Sequence, residues 1–190
     1  MYSRQASLIL RVLKDGKTHY FVQVRDNRNG QSLRFPGTFG LFGGELKEGE
    51  KPEEGFFREM REELAGIDFK KLAFEHRIYN WKNDLERVDG EINGMLNGNF
   101  NVLRGFLYGE KIPQEALHTE KSLTYRDLIT AATEDHYFVG DVTESDIKKI
   151  TVLEGKRWEL LPASFCKRAI FYPTDKLALL HDMVKRENDK

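Results

Sequence analysis

Residues 43–67, GGELKEGEKPEEGFFREMREELAGI, hold eight glutamates and two arginines. Placed on a helix at about 100° per residue, Glu59, Glu62 and Glu63 stand at i, i+3 and i+4 within one arc of roughly 100°. Phe56, Phe57, Met60 and Leu64 fall on the adjoining arc, the one expected to be buried. Like charges at this spacing cost a few tenths of a kcal/mol when exposed and more when partly buried. A hard divalent cation such as Mg²⁺ or Mn²⁺ would offset that cost, because it takes oxygen ligands and cancels the repulsion. Mg²⁺ is commonly held by a few carboxylates together with substrate phosphates, which links the cluster to phosphate chemistry. The competing reading is a solvated acidic helix paired with Arg and Lys, and the residue types alone leave both open.

The elements that must position this helix follow from local signals. SLILRVL (7–13) and THYFVQVR (18–25) are β-prone runs joined by Asp15-Gly16, a hairpin signature. Residues 26–38 read as a loop rich in Asn, Gly and Pro, and 38–46 as a short strand with a double glycine. Pro52 suits the first helical position, and the helix is expected to run to Ala65 with Gly66 as its stop. Strands are expected over 71–83 and 99–110, with Asn93-Gly94 and Asn97-Gly98 marking turns between them. Within 111–145, KSLTYRDLITAA suggests a short helix and TEDHYFVGDVTESD a loop with some strand; the whole stretch reads as an insertion able to enlarge a pocket or make a homodimer contact. Residues 147–153 and 157–162 look like strands. Residues 174–187 form a closing helix, with Thr174 or Asp175 as its cap and Leu177, Leu180 and Val184 on one face. Strands mixed with two main helices point to an α+β sandwich around a mixed sheet.

Bulk properties narrow the function. A chain of 190 residues, 39% hydrophobic, with 13 Phe and 7 Tyr, suits one domain spanning 1–190. A formal charge of −1 gives no electrostatic reason for binding to nucleic acid or an anionic membrane. The single Cys166 cannot form an internal disulfide, and no apolar run is long enough to span a bilayer. The N-terminal apolar stretch, interrupted by Arg11, is too short for a signal peptide, so a cytoplasmic location is expected. The five histidines show no metal-ligand spacing.

The box around the glutamates resembles the signature of the Nudix hydrolase superfamily, G-x5-E-x7-R-E-U-x-E-E-x-G-U, with U aliphatic. Gly44, Glu50, Arg58-Glu59 and Glu62-Glu63 stand at the required spacing, and six fixed positions match by accident on the order of 10⁻⁵ per chain. The closing glycine departs from the pattern: Ala65 occupies its place and Gly66 comes one residue late, which is expected to alter the helix exit without moving a ligand. Gly55 inside the helix is a second oddity, costing about 1 kcal/mol relative to Ala. The flanking 34–50 and the ending LEGKRWELLP…FYPTDKLALLHDM are similar to MutT-type members.

What the resemblance implies is a Nudix α/β/α sandwich. Its activity would be cleavage of the diphosphate linkage of a nucleoside diphosphate joined to another group, as in a nucleotide sugar, a nucleoside triphosphate or ADP-ribose. Carried over by position, Glu59, Glu62 and Glu63 would bind Mg²⁺ or Mn²⁺ with the Gly44 carbonyl. Arg58 and Glu50 would support them, Gly43 would shape the strand, and Glu154 would add a carboxylate from a distant loop. Glu59 and Glu154 are both candidates for the base. Arg25 matches a phosphate-contacting position, and Thr174 and Asp175 sit where a base-contacting residue lies. Phe39, Tyr79, Trp81 and Trp158 offer stacking surfaces or packing. The partner expected is a small nucleotide, with a capped RNA end among the options. The alternatives are a nucleotide-binding Nudix sensor without catalysis, which loss of a box glutamate would favour, and isoprenoid diphosphate isomerisation, for which Cys166 lies in the wrong part of the chain.

Overall fold

The computed structural model describes residues 3–25, 38–95, 125–153 and 157–189. Strand β1 (Ser3–Lys14) turns through Asp15 and Gly16, both at positive φ (49° and 69°), into β2 (Lys17–Val24). Positive φ at both central residues is the two-residue turn that matches strand twist, so the Asp-Gly signal is expressed as expected. The chain then gives β3 (Phe39–Gly40), β4 (Phe42–Glu45), α1 (Pro52–Glu63) and β5 (Leu64–Ala65). A 3₁₀ turn (Phe69–Lys71) leads to β6 (Glu75–Tyr79) and α2 (Trp81–Met95). Next come α3 (Tyr125–Ala131), β7 (Ala132–Val142), α4 (Glu144–Ile147) and β8 (Thr151–Val152). Strand β9 (Arg157–Pro162), α5 (Ala163–Cys166) and α6 (Pro173–Asn188) complete the described residues.

The main sheet is mixed, in the order β3-β2-β1-β7-β6, with β9 also on β2 and β4 also on β1. Strand β7 runs parallel to β1 along nearly its whole length, from Ser3 to Val12. The other edge of β1 is shared: Gln5–Leu8 pair with β4 and Leu10–Lys14 with β2. Both faces of β1 are covered, one lined by Ala6, Leu8, Leu10 and Val12 and the other carrying Ile9 between Ser7 and Arg11. Ala6, Leu8, Leu10 and Val12 pack with Phe56 and Met60 of α1 and Leu64 of β5, whereas Ile9 packs with Trp81, Leu85, Leu177 and Leu180 of α2 and α6. This is the α/β/α sandwich around a mixed sheet that the sequence pattern predicts. Truncating Phe56 or Met60, each at most 1% exposed, would cost about 2–5 kcal/mol.

Several boundaries differ from expectation. Helix α1 stops at Glu63, two residues early, because Leu64 and Ala65 turn extended and pair with Val152 and Thr151. The expected strand 71–83 is shorter, 75–79, and Trp81 opens a helix that runs through Asn93-Gly94 to Met95. That helix is amphipathic, with Trp81, Leu85, Val88 and Ile92 buried, and Arg87 pairs with Asp84 and Glu91 on its outer face. Gly90 and Gly94 both lie inside this helix, so neither marks a turn. Residues 132–142, expected as mostly loop, form a central strand, and 125–145 therefore belongs to the sandwich. Residues 147–153 supply only the two-residue β8. The expected strand 99–110, the turn at Asn97-Gly98 and residues 111–124 lie outside the described residues. Tyr172, without a side-chain cap bond, caps α6, so neither Thr174 nor Asp175 is the cap; both are buried in the first turn.

The α2 and α6 side of the sheet buries unusual polar groups. Asp135 Oδ2 accepts from Trp81 Nε1 at 2.7 Å, and burial pushes its carboxyl up to about 7. Burial likewise lifts Asp175 to about 6, and the two carboxyls repel. A carboxyl whose folded pKa exceeds its unfolded value contributes stability fully present below the unfolded pKa of 3.8 and lost as pH rises through 6 to 7. Wild-type protein is therefore expected to lose on the order of 2 kcal/mol more than Asp135→Asn between pH 5 and pH 8. Urea unfolding of both proteins across that range measures the difference, and parallel pH profiles would refute the assignment.

Candidate active site

Helix α1 positions Arg58 at the centre of the box. Its Nε and Nη2 each donate to the Glu50 carboxylate at 2.9 Å, a two-pronged contact that fixes both planes. Nη1 donates to Glu59 and to Glu62 Oε2 at 3.4 Å, and Nη2 reaches the Glu45 carbonyl at 3.1 Å. Glu50 also accepts from the Lys47 N–H at 2.9 Å. The Arg58 contact, with the Lys47 N–H second, holds the Glu50 carboxyl down at about 2, and the Glu50 contact in turn raises Arg58. One guanidinium thus shares its charge among three carboxylates, which is how the box tolerates its own repulsion.

Glycines let the pieces close up. A Cβ on Gly55 would stand 2.2 Å from Leu46 Cδ2 and 2.9 Å from Glu50 Oε2, so the mid-helix glycine makes room for the strand that carries the box. Gly43, at φ 139°, would place a Cβ 2.2 Å from the Ala6 carbonyl oxygen. Its N–H donates to Glu63 Oε2 at 2.7 Å. Gly44 faces Glu59, whose carboxylate carbon would be 2.5 Å from a Cβ there.

The stretch 38–45 joins the box to the more distant residues singled out from the sequence. The Thr38 carbonyl accepts from the Arg25 N–H at 2.9 Å, and the Leu41 N–H donates to Asp175 Oδ2 at 2.9 Å. Gly43 then binds Glu63, Gly44 abuts Glu59, and Glu45 meets Arg58. Arg25 holds its guanidinium 5.0 Å above the Tyr172 ring and packs along Gly40. The structure therefore brings Arg58, Glu50, Glu59, Glu62 and Glu63 together with Gly43 and Gly44, and links Arg25 and Asp175 to them through one extended segment. Thr174 is buried beside Asp135 rather than on a surface.

The stacking candidates separate. Tyr79 and Trp81 are buried in the core, stacked on each other at 4.7 Å. Phe39 packs on Phe171 and Phe165, and Trp158 on Phe21. Cys166 is buried, and its thiol is pushed up to about 12 by burial. Glu154 lies outside the described residues, but its neighbour Leu153 donates its N–H to the Glu63 carbonyl at 2.7 Å, at the exit of α1. Sequence reasoning missed the buried Asp135 and the pair His76 and His136; the mixture of polar residues in 134–136 hid a strand whose polar side chains find partners inside.

A divalent cation is tested against these residues by donor chemistry. Glu59 and Glu62 already share one cationic nitrogen, Arg58 Nη1, and all the acidic groups are hard oxygen donors. Glu62 is about half exposed and Glu63 is turned to Gly43, and among the described residues no three His, Cys, Asp or Glu side chains converge on one point. The set fits Mg²⁺ or Mn²⁺ by type, with the Arg58 contact occupying the side of Glu59 that an ion would compete for.

No protein-family model and no curated protein sequence matches this chain. Solved structures do. A mutT/nudix family protein from Listeria innocua superposes with a TM-score of 0.59 at 12% identity, over 98% of this chain and 95% of that one. A C. elegans Ap4A hydrolase binary complex gives 0.54 at 11% identity over 99% of both chains. The NUDIX domain of Shewanella oneidensis NrtR, complexed with ADP ribose, gives 0.52 at 12% identity over all of this chain and 90% of that one. At such identities the likeness is one of fold, and the fold is the one that the box spacing implies. No helix among the described residues is long and apolar enough to cross a membrane.

Proposed function

We propose that this chain is a Nudix pyrophosphohydrolase that uses Mg²⁺ or Mn²⁺ to cleave the diphosphate linkage of a nucleoside diphosphate joined to a second group. The observation that carries this reading is the single segment 38–45, which contacts Arg25, Asp175, Glu63, Glu59 and Arg58 in order. A cation and a carboxylate cluster tied to one extended segment support a site for a charged linear substrate. The similarity of fold to proteins described as Ap4A hydrolase and as an ADP-ribose complex supports a nucleotide substrate.

Within that reading, Glu59, Glu62 and Glu63 with the Gly44 carbonyl would hold the ion, and Glu154 would add a carboxylate. A divalent ion there supplies charge neutralisation of the diphosphate and a bound water of lowered pKa. Arg58 and Glu50 hold Glu59 in place, Arg25 binds a substrate phosphate, and Asp175 fixes the Leu41 backbone through its N–H. Glu59 or Glu154 takes the proton of the attacking water.

The test is a hydrolysis screen over nucleotide sugars, nucleoside triphosphates, dinucleoside polyphosphates and ADP-ribose with Mg²⁺ or Mn²⁺, in which the nucleotide products are separated by chromatography. Turnover of at least one class, abolished by chelation, is expected. Nucleotide binding without any turnover across the panel would replace the enzyme with a sensor.

A further inference from the structure

A second concavity lies on the other flank of α1. Phe57 and Arg61 each stand about 160° around the helix from Glu59, and with Lys70 and His76 they line a groove of about 770 Å³. That volume is within the ordinary range for small-molecule sites. A smaller recess of about 90 Å³ adjoins it, sharing Phe57, Arg61 and Lys70 and reaching Met60, Ile67 and Asp68, whose carboxylate pairs with Lys71 at 3.3 Å.

The charges in the groove are unequally matched. Lys51 lies 4.0 Å from Glu54, a loose exposed pair, and Glu53 also borders the groove. Arg61 and Lys70 have no carboxylate within 4.0 Å among the described residues, although Arg61 Nε donates to the Phe57 carbonyl at 3.1 Å. Two cations therefore flank an aromatic surface without anionic partners.

His76 adds a group that can change charge. His136 Nε2 lies 2.7 Å from Glu134 Oε1, and His76 Nε2 lies 2.9 Å from His136 Nδ1. The Glu134 carboxylate accepts, held ionised by this contact and by Arg4 at 3.2 Å, so His136 carries its proton on Nε2. His136 Nδ1 then accepts, and His76 donates from Nε2, leaving Nδ1 of His76 free to take a second proton. Burial holds His76 below its usual value, and Glu53 and Glu134 oppose that shift. The imidazolium formed on protonation would be backed through His136 by the Glu134 carboxylate.

We propose that this groove is a second ligand site, separate from the box, for a phosphate monoester carrying a planar or apolar group. Arg61, Lys70 and protonated His76 bind the phosphate, and the ring lies on Phe57 towards the recess. The site stands apart from the hydrolytic reading, since none of the residues lining it is one of the fixed Gly, Glu or Arg positions of the box.

AMP titrated into the full chain without divalent ions, followed by NMR of the His76 imidazole, tests it. The His76 signals are identified by their loss in His76→Gln. A saturable shift is expected, together with a rise in the His76 pKa on binding, because the bound dianion adds to the pull of Glu53 towards the imidazolium. Lys70→Glu, at an exposed position, should raise the Kd at least tenfold. The double variant Glu62→Gln, Glu63→Gln should leave it within twofold. The proposal is overturned if His76 does not respond at millimolar AMP, if its pKa is unmoved by bound AMP, if Lys70→Glu binds as wild type, or if the box variant abolishes the shift.

Discussion

Glu63→Gln is expected to lower turnover by about 10²–10³-fold while leaving the fold intact, the size of effect that follows loss of one preorganised electrostatic group. The amide is isosteric, and its carbonyl oxygen can still accept from the Gly43 N–H that now donates to Glu63 Oε2 at 2.7 Å. The strand contact therefore survives and only the charge is removed. Glu62→Gln should act similarly on turnover with even less structural consequence, because Glu62 is about half exposed and its one described contact, to Arg58 Nη1, is long at 3.4 Å. Surface changes of that kind alter stability by no more than about 0.5 kcal/mol. Kinetics on the substrate found in the screen, with thermal unfolding in parallel, measures both effects. Turnover within a few fold of wild type in both variants would remove this helix from the chemistry. A fall in activity that tracks a fall in melting temperature would reduce the box to a structural role.

The parts of this site legible in the sequence are those whose physics is local. Glu59, Glu62 and Glu63 share a helical face by periodicity alone, although the same count aims Arg58 elsewhere while its side chain reaches Glu50, Glu59 and Glu62. Pro52 and Asp15-Gly16 mark an element start and a turn through fixed backbone preferences. The boundaries that failed were decided by partners far away in the chain. Leu64 and Ala65 continue a helical pattern, yet they leave the helix because Val152 and Thr151 offer them a ladder. Asn93-Gly94 has the composition of a turn, but burial of Trp81, Leu85, Val88 and Ile92 outweighs the cost of two glycines, about 1 kcal/mol each. Asp135 and His136 look like loop residues until Trp81, His76 and Glu134 satisfy them. Asp175 offers a plausible helix cap by type, but its oxygen serves Leu41, 134 residues away. Gly55 shows the same dependence: its cost is visible locally, and its purpose appears only when Leu46 and Glu50 pack over it.

Gly66→Ala is expected to destabilise the protein by about 3 kcal/mol or more, among the largest effects available to a single methyl group. Gly66 has φ 95°, which alone costs an alanine roughly 1 kcal/mol. The added Cβ would also stand 1.8 Å from the Lys149 carbonyl oxygen and 2.7 Å from its carbon, and backbone cannot move aside as a flexible side chain can. Something larger must shift, and what lies there is the pairing of Leu64 and Ala65 with Val152 and Thr151 and the bond from the Leu153 N–H to the Glu63 carbonyl. The same pairing sets where α1 ends and holds Leu153 on the Glu63 backbone carbonyl. For a chain of this size the destabilisation corresponds to a fall in Tm of about 6–12 °C. Gly16→Ala supplies the control, because Gly16 has φ 69° but nothing within 4 Å of its Cβ position, so it carries the backbone cost without the collision. Calorimetry of the two variants separates the terms: equal losses would mean that the β5–β8 contact yields freely. A Gly66→Ala protein that still folds at low temperature should lose more activity than its unfolded fraction explains, because the late glycine that breaks the box pattern is what lets the exit of α1 close against Lys149.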